Sequence, residues 1–329
     1  MSDVSIKPTR AIGVNRSTQL FGFTKARAIF FLLFAASVVI APLFLYPIFL
    51  IKVYCFIIFA CGYNLLLGYT GLMSFGHAAF FGMGAYLCGY AATQWGLPFE
   101  LSVLAGTLVA AVMGLVFGWI AIRRTGLYFA MITLALAQMV YFIAMQAPFT
   151  GGENGIQSIP RGSVLGILDL SSNTTLYCVI SVLVLASVAF YNRVIHSPFG
   201  QVLRAVRNNP ERAKSLGYNV DRFKLAAFVI SAAMAGFAAS LKTVAFGIAT
   251  LTDVSYVIST EVVLINLVGG IGTIFGPVVG SFFILSLEHF LAPYGPWVLL
   301  IQGIVFTFFV LLFRQGIVGE LQKRFRTQL

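Results

Sequence analysis

Seven cationic side chains lie between Asn192 and Lys224, the longest polar stretch between apolar runs of this chain. Only Glu211 and Asp221 oppose them. The chemistry available to such a stretch is charge recognition, because basic segments beside a membrane attract anionic headgroups or acidic surfaces. A basic stretch between apolar runs is therefore interpreted as a docking element.

Two short helices are predicted inside this stretch from their start signals. Ser197-Pro198 and Asn209-Pro210 each fit an N-cap followed by proline at the first helical position, where no backbone N–H is needed. Gly217 is placed to end the second helix in the left-handed conformation. The first helix is amphipathic, and its alternative interpretation is an interfacial helix on the anionic inner leaflet.

The second short helix, Pro210 to Leu216, spans roughly two turns and is too short to hold without a partner surface. Ala213 and Leu216 are three residues apart, so they share one face that is expected to be buried on binding. The residues predicted to dock a partner are Asn209, Pro210, Glu211, Arg212, Ala213, Leu216 and Gly217.

Ionisable residues also occur inside apolar segments, where burying a charge is costly. His77 follows Phe75-Gly76 at a break in the apolar pattern, and it is either a functional group or a neutral histidine that bonds freed backbone groups. Glu261 either lines the outer mouth or gate of a pathway or is an interfacial carboxylate. Lys242 is expected to extend along its helix to the headgroups.

No catalytic or nucleotide-binding motif is present. Nothing matches GxxxxGK[ST], GxSxG, HExxH or a CxxC pair, which argues against an enzyme, so any ATP must be hydrolysed by a partner. The four cysteines lie in apolar segments and are expected to be small buried hydrophobes rather than disulfide or metal ligands. They are Cys55, Cys61, Cys88 and Cys178.

The composition is that of an integral membrane protein. Of the 329 residues, 59% are hydrophobic and only 9% are charged, so the bilayer is the solvent of this chain. The net charge of +11 comes from basic residues gathered at the ends of apolar runs. This is the positive-inside pattern, and nucleic-acid binding is not expected.

The apolar runs predict an all-α fold with about ten transmembrane helices, some of them broken by glycines. The predicted spans are 28–42, 48–67, 77–93, 101–122, 127–147, 176–191, 225–247, 259–268, 275–291 and 297–313. A basic tail (1–27) precedes a transmembrane domain (28–318) that contains the basic loop 192–224, and a second tail (319–329) follows. An even number of crossings puts both tails and the loop in the cytoplasm.

A weak internal sequence repeat links two glycine-broken turns, 68–76 and 269–276. Asn64 leads through glycines to Phe75-Gly76, as Asn266 does to Phe275-Gly276. Transporters often build a central pathway from broken helices in matching repeats, so the two turns are predicted to approach each other; the alternative is chance similarity. The predicted pathway residues are Asn64, Gly71, Phe75, Gly76, His77, Glu261, Asn266, Gly272, Phe275 and Gly276.

Three stretches carry a family resemblance. NLLLGYTGLMSFGHAAFFGMGAY (64–86) resembles the signature of LivM-type permeases, membrane subunits of ABC importers for branched-chain amino acids. Residues 204–231 and VGGIGTIFGPVVG (268–280) agree with it, and the resemblance covers roughly residues 50–318.

The resemblance implies a multi-pass subunit of a bacterial inner membrane importer. Its partners would be a LivH-type permease subunit, two cytoplasmic ATPase subunits and a periplasmic substrate-binding protein. ATP and Mg would bind to the ATPases, with no cofactor on this chain. Residues 211–217 resemble the Glu-Ala-Ala…Gly docking motif of importer permeases, with Arg212 in place of the first alanine.

Two other functions stay open at this point. Relatives of LivM that carry urea or amides share the same membrane motifs, so the substrate is not settled by the resemblance. An ion-coupled secondary transporter is the alternative from another class, and it would need carboxylate or histidine relays near the bilayer midplane.

The charge distribution makes a topological prediction. Single cysteines at Ser158 and Ser215, in a chain without the four native cysteines, should be labelled from opposite sides of the membrane. An impermeant reagent added to intact cells should reach position 158 and not position 215, because seven cations hold the second stretch inside. Labelling of position 215 from outside would overturn this topology.

Overall fold

The computed structural model describes residues 34, 36–38, 40–43, 45–164, 166, 168–295, 297–313 and 315–325. Within these residues the helices are α1 (Pro47–Thr70), α2 (His77–Thr93), α3 (Phe99–Ala121), α4 (Leu127–Gln146), α5 (Asn173–His196), α6 (Pro198–Asn208), α7 (Pro210–Ser215), α8 (Val220–Phe246), α9 (Tyr256–Gly269), α10 (Gly276–Leu291), α11 (Trp297–Leu312) and α12 (Gly316–Phe325). The all-α membrane fold predicted from the sequence is confirmed.

Six helices of the described chain are long and apolar enough to cross a bilayer, namely α1, α3, α4, α5, α8 and α10 with the short turn that follows it. α9 and the middle of α11 are shorter apolar helices. The predicted count of ten is therefore not reached by long helices alone. The tail 1–27, most of the predicted span 28–42 and residues 326–329 lie outside the described residues, and the rest of the predicted C-terminal tail falls in α12.

The centre of the fold is α1. In its most apolar window of 18 residues 89% of the residues are buried inside the chain, against 33% for α3 and α4. A helix that is apolar on every side belongs in the interior, whereas one buried on a single stripe faces lipid or a partner with the rest. α1 packs against α5, α8, α9 and α10, and α8 packs in turn against α2 and α3.

Small residues let α2, α3 and α8 approach closely. A Cβ atom placed on Gly84 of α2 would lie 2.7 Å from the Cα atom of Gly236 in α8. A Cβ atom on Gly236 would lie 2.2 Å from the Cβ atom of Ala110 in α3. Lipid tails are as apolar as leucine, so membrane helices associate through such close packing rather than through a hydrophobic drive.

α2 starts inside the protein rather than at its surface, and α9 is too short to cross the membrane by itself. α2 begins beside Tyr63, whose ring centroid lies 4.9 Å from that of His77, about two turns before α1 ends. α9 has 14 residues, about 21 Å, which is shorter than the roughly 30 Å hydrocarbon core. The chain enters α9 through a 3-10 turn, Leu251–Val254, that packs on α2.

The polar stretch before α5 contains the exception to the all-α prediction. Strands β1 (Ser163–Val164) and β2 (Leu168–Asp169) form a two-residue antiparallel ribbon. Hydrogen bonds from the hydroxyl and backbone N–H of Ser171 hold the pKa of the exposed Asp169 below its usual value. The 24-residue helix α5 joins this stretch to the basic stretch, so the two stretches lie at opposite ends of that helix.

The basic stretch is almost wholly helical, so its description as a loop over 192–224 is too wide. α5 continues to His196 and α8 begins at Val220, with α6 and α7 between them. The predicted starts are confirmed, because the Ser197 hydroxyl accepts from the N–H of Gly200 and the Asn209 amide oxygen accepts from that of Arg212. These caps satisfy N–H groups that have no partner within the helix.

The glycine contact predicts a matched pair of variants. Gly236→Ala should lower the free energy of unfolding by about 1–3 kcal/mol, because the added methyl group meets Ala110 and must push α3 away. Gly303→Ala in α11 should leave it unchanged, since nothing described lies within 4 Å of its Cβ position. Thermal unfolding of the purified variants in detergent measures both, and equal losses would contradict the packing argument.

Candidate functional site

The first glycine-broken turn places His77 in a closed set of hydrogen bonds. The side chain is fully buried, with Nδ1 3.1 Å from the Ser74 hydroxyl and Nε2 2.8 Å from the Ser231 hydroxyl. The Ser231 hydroxyl donates its only hydrogen to the Gly62 carbonyl at 2.6 Å. The bond between Ser231 and His77 therefore has Nε2–H as the donor and the Ser231 oxygen as the acceptor. The Ser74 hydroxyl accepts from the N–H of Gly76 and donates to Nδ1.

These bonds give His77 one donor and one acceptor nitrogen, which is the neutral ring. They favour the structural interpretation of this residue over a relay. The expected direct bonds to freed backbone groups are absent from the described contacts; two serine hydroxyls stand between the ring and the backbone instead.

Hydroxyl groups of two other helices complete the same turn. Thr133 of α4 accepts from the N–H of Phe75 at 3.2 Å. Ser259 of α9 accepts from the N–H of Ala78 at 2.8 Å. The first N–H groups of a helix have no partner within it, and water is not available in the hydrocarbon core, so the neighbouring helices supply the acceptors.

The second turn is held by the side chain of Asn64. Its amide nitrogen donates to the carbonyl of Thr273 at 2.7 Å and to the hydroxyl of Tyr191 at 2.8 Å. Its amide oxygen accepts from the N–H of Gly272 at 2.9 Å. One buried side chain on α1 therefore satisfies both a donor and an acceptor of the irregular backbone between α9 and α10.

The two turns contact each other, as the internal sequence repeat predicts. A Cβ atom on Gly68 would lie 2.8 Å from both the Cα and the N atoms of Gly272, so a side chain at Gly68 has no room. The hydroxyl of Tyr69 donates to the Gly272 carbonyl at 3.1 Å. That the turns line a pathway stays a prediction.

The predicted pathway residues fall into separate groups. Asn64 and Gly272 lie together at the contact between the turns, and Gly71 lies beside Arg207. Phe75, Gly76 and His77 surround the start of α2. Phe275 and Gly276 form the buried start of α10, where the Gly276 N–H donates to Thr273. Glu261 lies on α9, two residues after Ser259, whose hydroxyl accepts from the start of α2.

The two asparagines of the internal sequence repeat, Asn64 and Asn266, make different hydrogen bonds. Asn266 donates only within its own helix, to the carbonyl of Val262 at 2.9 Å, among the bonds that the structure records for it. Its amide oxygen is buried without a hydrogen-bond partner in the described chain. The equivalence of Asn64 and Asn266 that the sequence suggests is therefore one of position and not of role.

Two arginines of α6 reach the meeting point of the turns. The Arg207 guanidinium donates to the Gly68 carbonyl, and it lies 3.4 Å from the Cβ position of Gly272. The Arg204 guanidinium lies over the Tyr69 ring, 5.1 Å from its centroid. The amphipathic pattern places both residues on the polar face of α6, but nothing in the sequence gives their destination.

The predicted docking face of α7 needs a correction. Ala213 is only 2% exposed, because α7 packs against α6 and α8, and the Tyr218 N–H donates to its carbonyl. Leu216 is 70% exposed, so the two residues do not form one free face. Gly217 has a φ of 87°, which confirms the left-handed end of the helix.

The other predicted docking residues are placed as expected on the surface. Asn209 caps α7 through Arg212, and the residues of α7 that are open to solvent are Pro210, Glu211, Arg212, Lys214 and Ser215. The free surface at this end is therefore cationic, with the Leu216 side chain as its apolar point.

Charged side chains form pairs in the half of the fold away from the basic stretch. Lys52 of α1 lies 2.9 Å from Glu288 of α10. Lys242 of α8 pairs with Asp253, which is 2% exposed, so the prediction that Lys242 extends to the headgroups is wrong. An acidic partner within the protein removes the need to reach water.

Metal binding and cysteine chemistry find little support in the described part of the chain. No group of three or more His, Cys, Asp and Glu side chains is arranged there to hold a metal ion. Cys55, Cys61 and Cys88 are buried as expected, whereas Cys178 on α5 is exposed.

Residues 45–313 match the family described as "Branched-chain amino acid transport system / permease component". The chain belongs to this family. No solved structure matches it.

Named relatives of this permease family show how far the likeness reaches. The high-affinity branched-chain amino acid transport system permease protein LivM of Escherichia coli K12 is 29% identical over 75% of this chain and 64% of that protein. The LivH permease protein of the corresponding system in Salmonella typhimurium is 26% identical over 71% of this chain and 81% of that protein. The galactose/methyl galactoside import permease protein MglC of E. coli K12 is 26% identical over 66% and 67%. The chain thus spans less than two thirds of LivM.

The contacts of the two asparagines predict unequal effects. Asn64→Leu should destabilise the contact between the turns by about 1–3 kcal/mol per group left without a partner, because the buried Gly272 N–H and Thr273 carbonyl both lose one. Asn266→Leu should cost less, because it also removes an amide oxygen that is already without a partner.

Thermal unfolding of both purified variants measures the difference. Equal unfolding temperatures for the two leucine variants would remove Asn64 as the residue that holds the turns.

Proposed function

We propose that the chain is a permease subunit of an ATP-driven importer for branched-chain amino acids. In this role it passes substrate from a periplasmic binding protein to the cytoplasm and catalyses no reaction itself. Family membership and the likeness to two permease proteins of branched-chain amino acid systems support the cargo. The same machine with urea or an amide as cargo is the alternative.

The observation that carries this proposal is the bridge from α6 to the two turns. Arg207 bonds the Gly68 carbonyl and lies beside Gly272, while α6 leads directly into the exposed α7. A partner that moves α7 therefore moves a side chain attached to the point where both broken helices meet. An ATPase subunit docked at α7 would act on the interior of the membrane domain through α6, so the movement would be transmitted over about the length of one short helix.

The proposed assembly has two permease subunits, this chain and a LivH-type partner, with two cytoplasmic ATPases and a periplasmic binding protein. ATP and Mg would bind between the ATPases, and their closure would drive the permease pair between outward-facing and inward-facing states. The assembly would lie in the bacterial inner membrane, with both termini of this chain and the α6–α7 segment in the cytoplasm.

The docking residues are proposed from the corrected surface. Leu216 with the exposed cations Arg212 and Lys214 would meet a groove with an apolar floor and acidic walls. Ala213 instead holds α7 to its own chain, so its substitution would disturb the permease fold before it disturbed docking.

The ion-coupled alternative loses its main candidate relay. His77 is bonded on both ring nitrogens as a neutral side chain, and the nearby hydroxyls are used by backbone groups. Coupling to a proton gradient needs groups that change charge along the pathway.

A docking variant tests the proposal with a matched control. Leu216→Asp should reduce the ATPase subunits that copurify with the permease at least about tenfold, since burying a leucine contributes roughly 1.5–3 kcal/mol and the new carboxylate opposes burial. Leu168→Asp, an exposed leucine at the opposite end, should leave copurification unchanged.

Leucine uptake by cells gives the functional measurement. Uptake through the wild-type complex should continue in the presence of an ionophore and stop when cytoplasmic ATP is depleted, and Leu216→Asp should abolish it. Ionophore-sensitive uptake that does not depend on ATP would contradict the proposed function, and normal copurification of Leu216→Asp would remove α7 as the docking element.

A further inference from the structure

Five charged side chains lie within electrostatic reach of one another in the half of the fold away from the basic stretch. Lys52 and Lys242 are paired with Glu288 and Asp253. Glu261 lies on α9, which packs against α1, α10 and the 3-10 turn, the elements that carry Lys52, Glu288 and Asp253, so the charges of both pairs act on it. Three carboxylates thus face two ammonium groups, and Glu261 is the carboxylate for which no cation remains.

Glu261 also has an oxygen without a hydrogen bond. Its Oε1 atom has essentially no contact with solvent and no hydrogen-bond partner among the described residues. A carboxylate oxygen that is buried without a donor costs several kcal/mol, so folded proteins rarely keep one without a use. The missing donor is a group that carries N–H or O–H and, by the charge count, a positive charge.

The position of Glu261 argues against an interfacial role. It lies two residues beyond Ser259, which bonds the start of α2 in the protein interior. The 3-10 turn before α9 packs on α2, and its Asp253 and Val254 are 2% and 1% exposed. Glu261 is therefore within the membrane domain, where an ionisable side chain marks a functional position by default.

One face of α9 is left open by this chain. Val257, one turn before Glu261, is 48% exposed, and Leu264, one turn after it, is half-buried. α9 ends at Gly269, where the second glycine-broken turn begins. The face therefore leads from the carboxylate toward the part of the fold that the basic helices hold.

We propose that Glu261 is a binding point for the protonated amine of the transported amino acid, held between the Lys52–Glu288 and Lys242–Asp253 pairs. This rests on the proposed function and adds a substrate contact to it. The amine supplies the N–H donor that Oε1 lacks and the positive charge that the five side chains lack. The two ion pairs keep both lysines from competing for Glu261. Since Oε1 is sealed in this conformation, the amine binds when α9 and its neighbours separate.

The negative charge at Glu261 can be tested by thiol reaction rates, without measuring transport. The background carries Cys178→Ser, which removes the exposed native thiol, and Val257→Cys places a thiol one turn from Glu261. In the assembled complex, a cationic methanethiosulfonate should react roughly tenfold faster than an anionic one, the ratio for unit charges ~6 Å from a carboxylate in water. Adding Glu261→Gln should bring the ratio close to one. Equal rates with Glu261 in place, or a ratio that Gln does not change, would overturn the proposal.

Uptake of radiolabelled leucine by the full complex tests the contact with substrate. Glu261→Gln should reduce uptake roughly 10-fold to 100-fold, the loss expected for one charge-assisted hydrogen bond, while the amount of assembled complex stays unchanged. Glu153→Gln, at an exposed glutamate in the 3-10 turn Gly152–Asn154 before α5, is the matched control and should transport normally.

The two proposals fail in different ways. Wild-type uptake of leucine that needs ATP, together with unchanged uptake by Glu261→Gln, would reject the amine site and leave the importer in place. Wild-type uptake of a neutral amide or urea and not of leucine would reject the amine site and the branched-chain cargo together. Loss of assembled complex in Glu261→Gln, with equal thiol reaction rates for both reagents in the Glu261 protein, would make Glu261 a structural residue.

Discussion

The amide of Asn64 is the contact on which the rest of the interior depends. In the hydrocarbon core a break in a helix leaves backbone groups that water cannot reach, so each needs a partner within the protein. An asparagine offers a donor and an acceptor on one short side chain, and Asn64 uses both on consecutive residues of the second turn. Aspartate lacks the donor and leucine lacks both.

The close contact of the two turns follows from this bond. With Gly272 drawn onto α1, only a glycine fits at Gly68, and the carbonyl of Gly68 is turned toward α6. Arg207 can then join the basic helices to both turns at once. A local hydrogen-bond requirement thus gives the membrane domain a mechanical connection to its charged end.

Much of the fold is predictable because the signals are local. Proline after Ser197 and Asn209 marks helix starts, Gly217 marks an end, and apolar runs mark spans, since each depends on residues within one turn or one segment. The fate of Ala213 is not predictable in this way. Its burial depends on the packing of α7 against α6 and α8, which a helix considered alone does not show.

The interior charges show the same limit more clearly. Lys242 alone on an apolar helix favours extension to the headgroups, and only the buried 3-10 turn brings Asp253 to it. The partners of His77 come from α8 and from its own turn, so its neutral state follows from hydroxyls that no spacing in the sequence connects. The turns could be paired from their glycines, whereas the unequal roles of Asn64 and Asn266 required the contacts.

The bond between Asn64 and Thr273 joins residues 209 positions apart in the chain. Ribosomes add roughly 5–20 residues per second, so about 10–40 seconds separate the synthesis of the two partners. During that time α1 sits in or beside the translocation machinery with a polar amide that its final acceptor cannot yet reach. The most buried of the six long helices in the described chain is thus made early, and its polar amide waits for the second turn before its hydrogen bonds are complete.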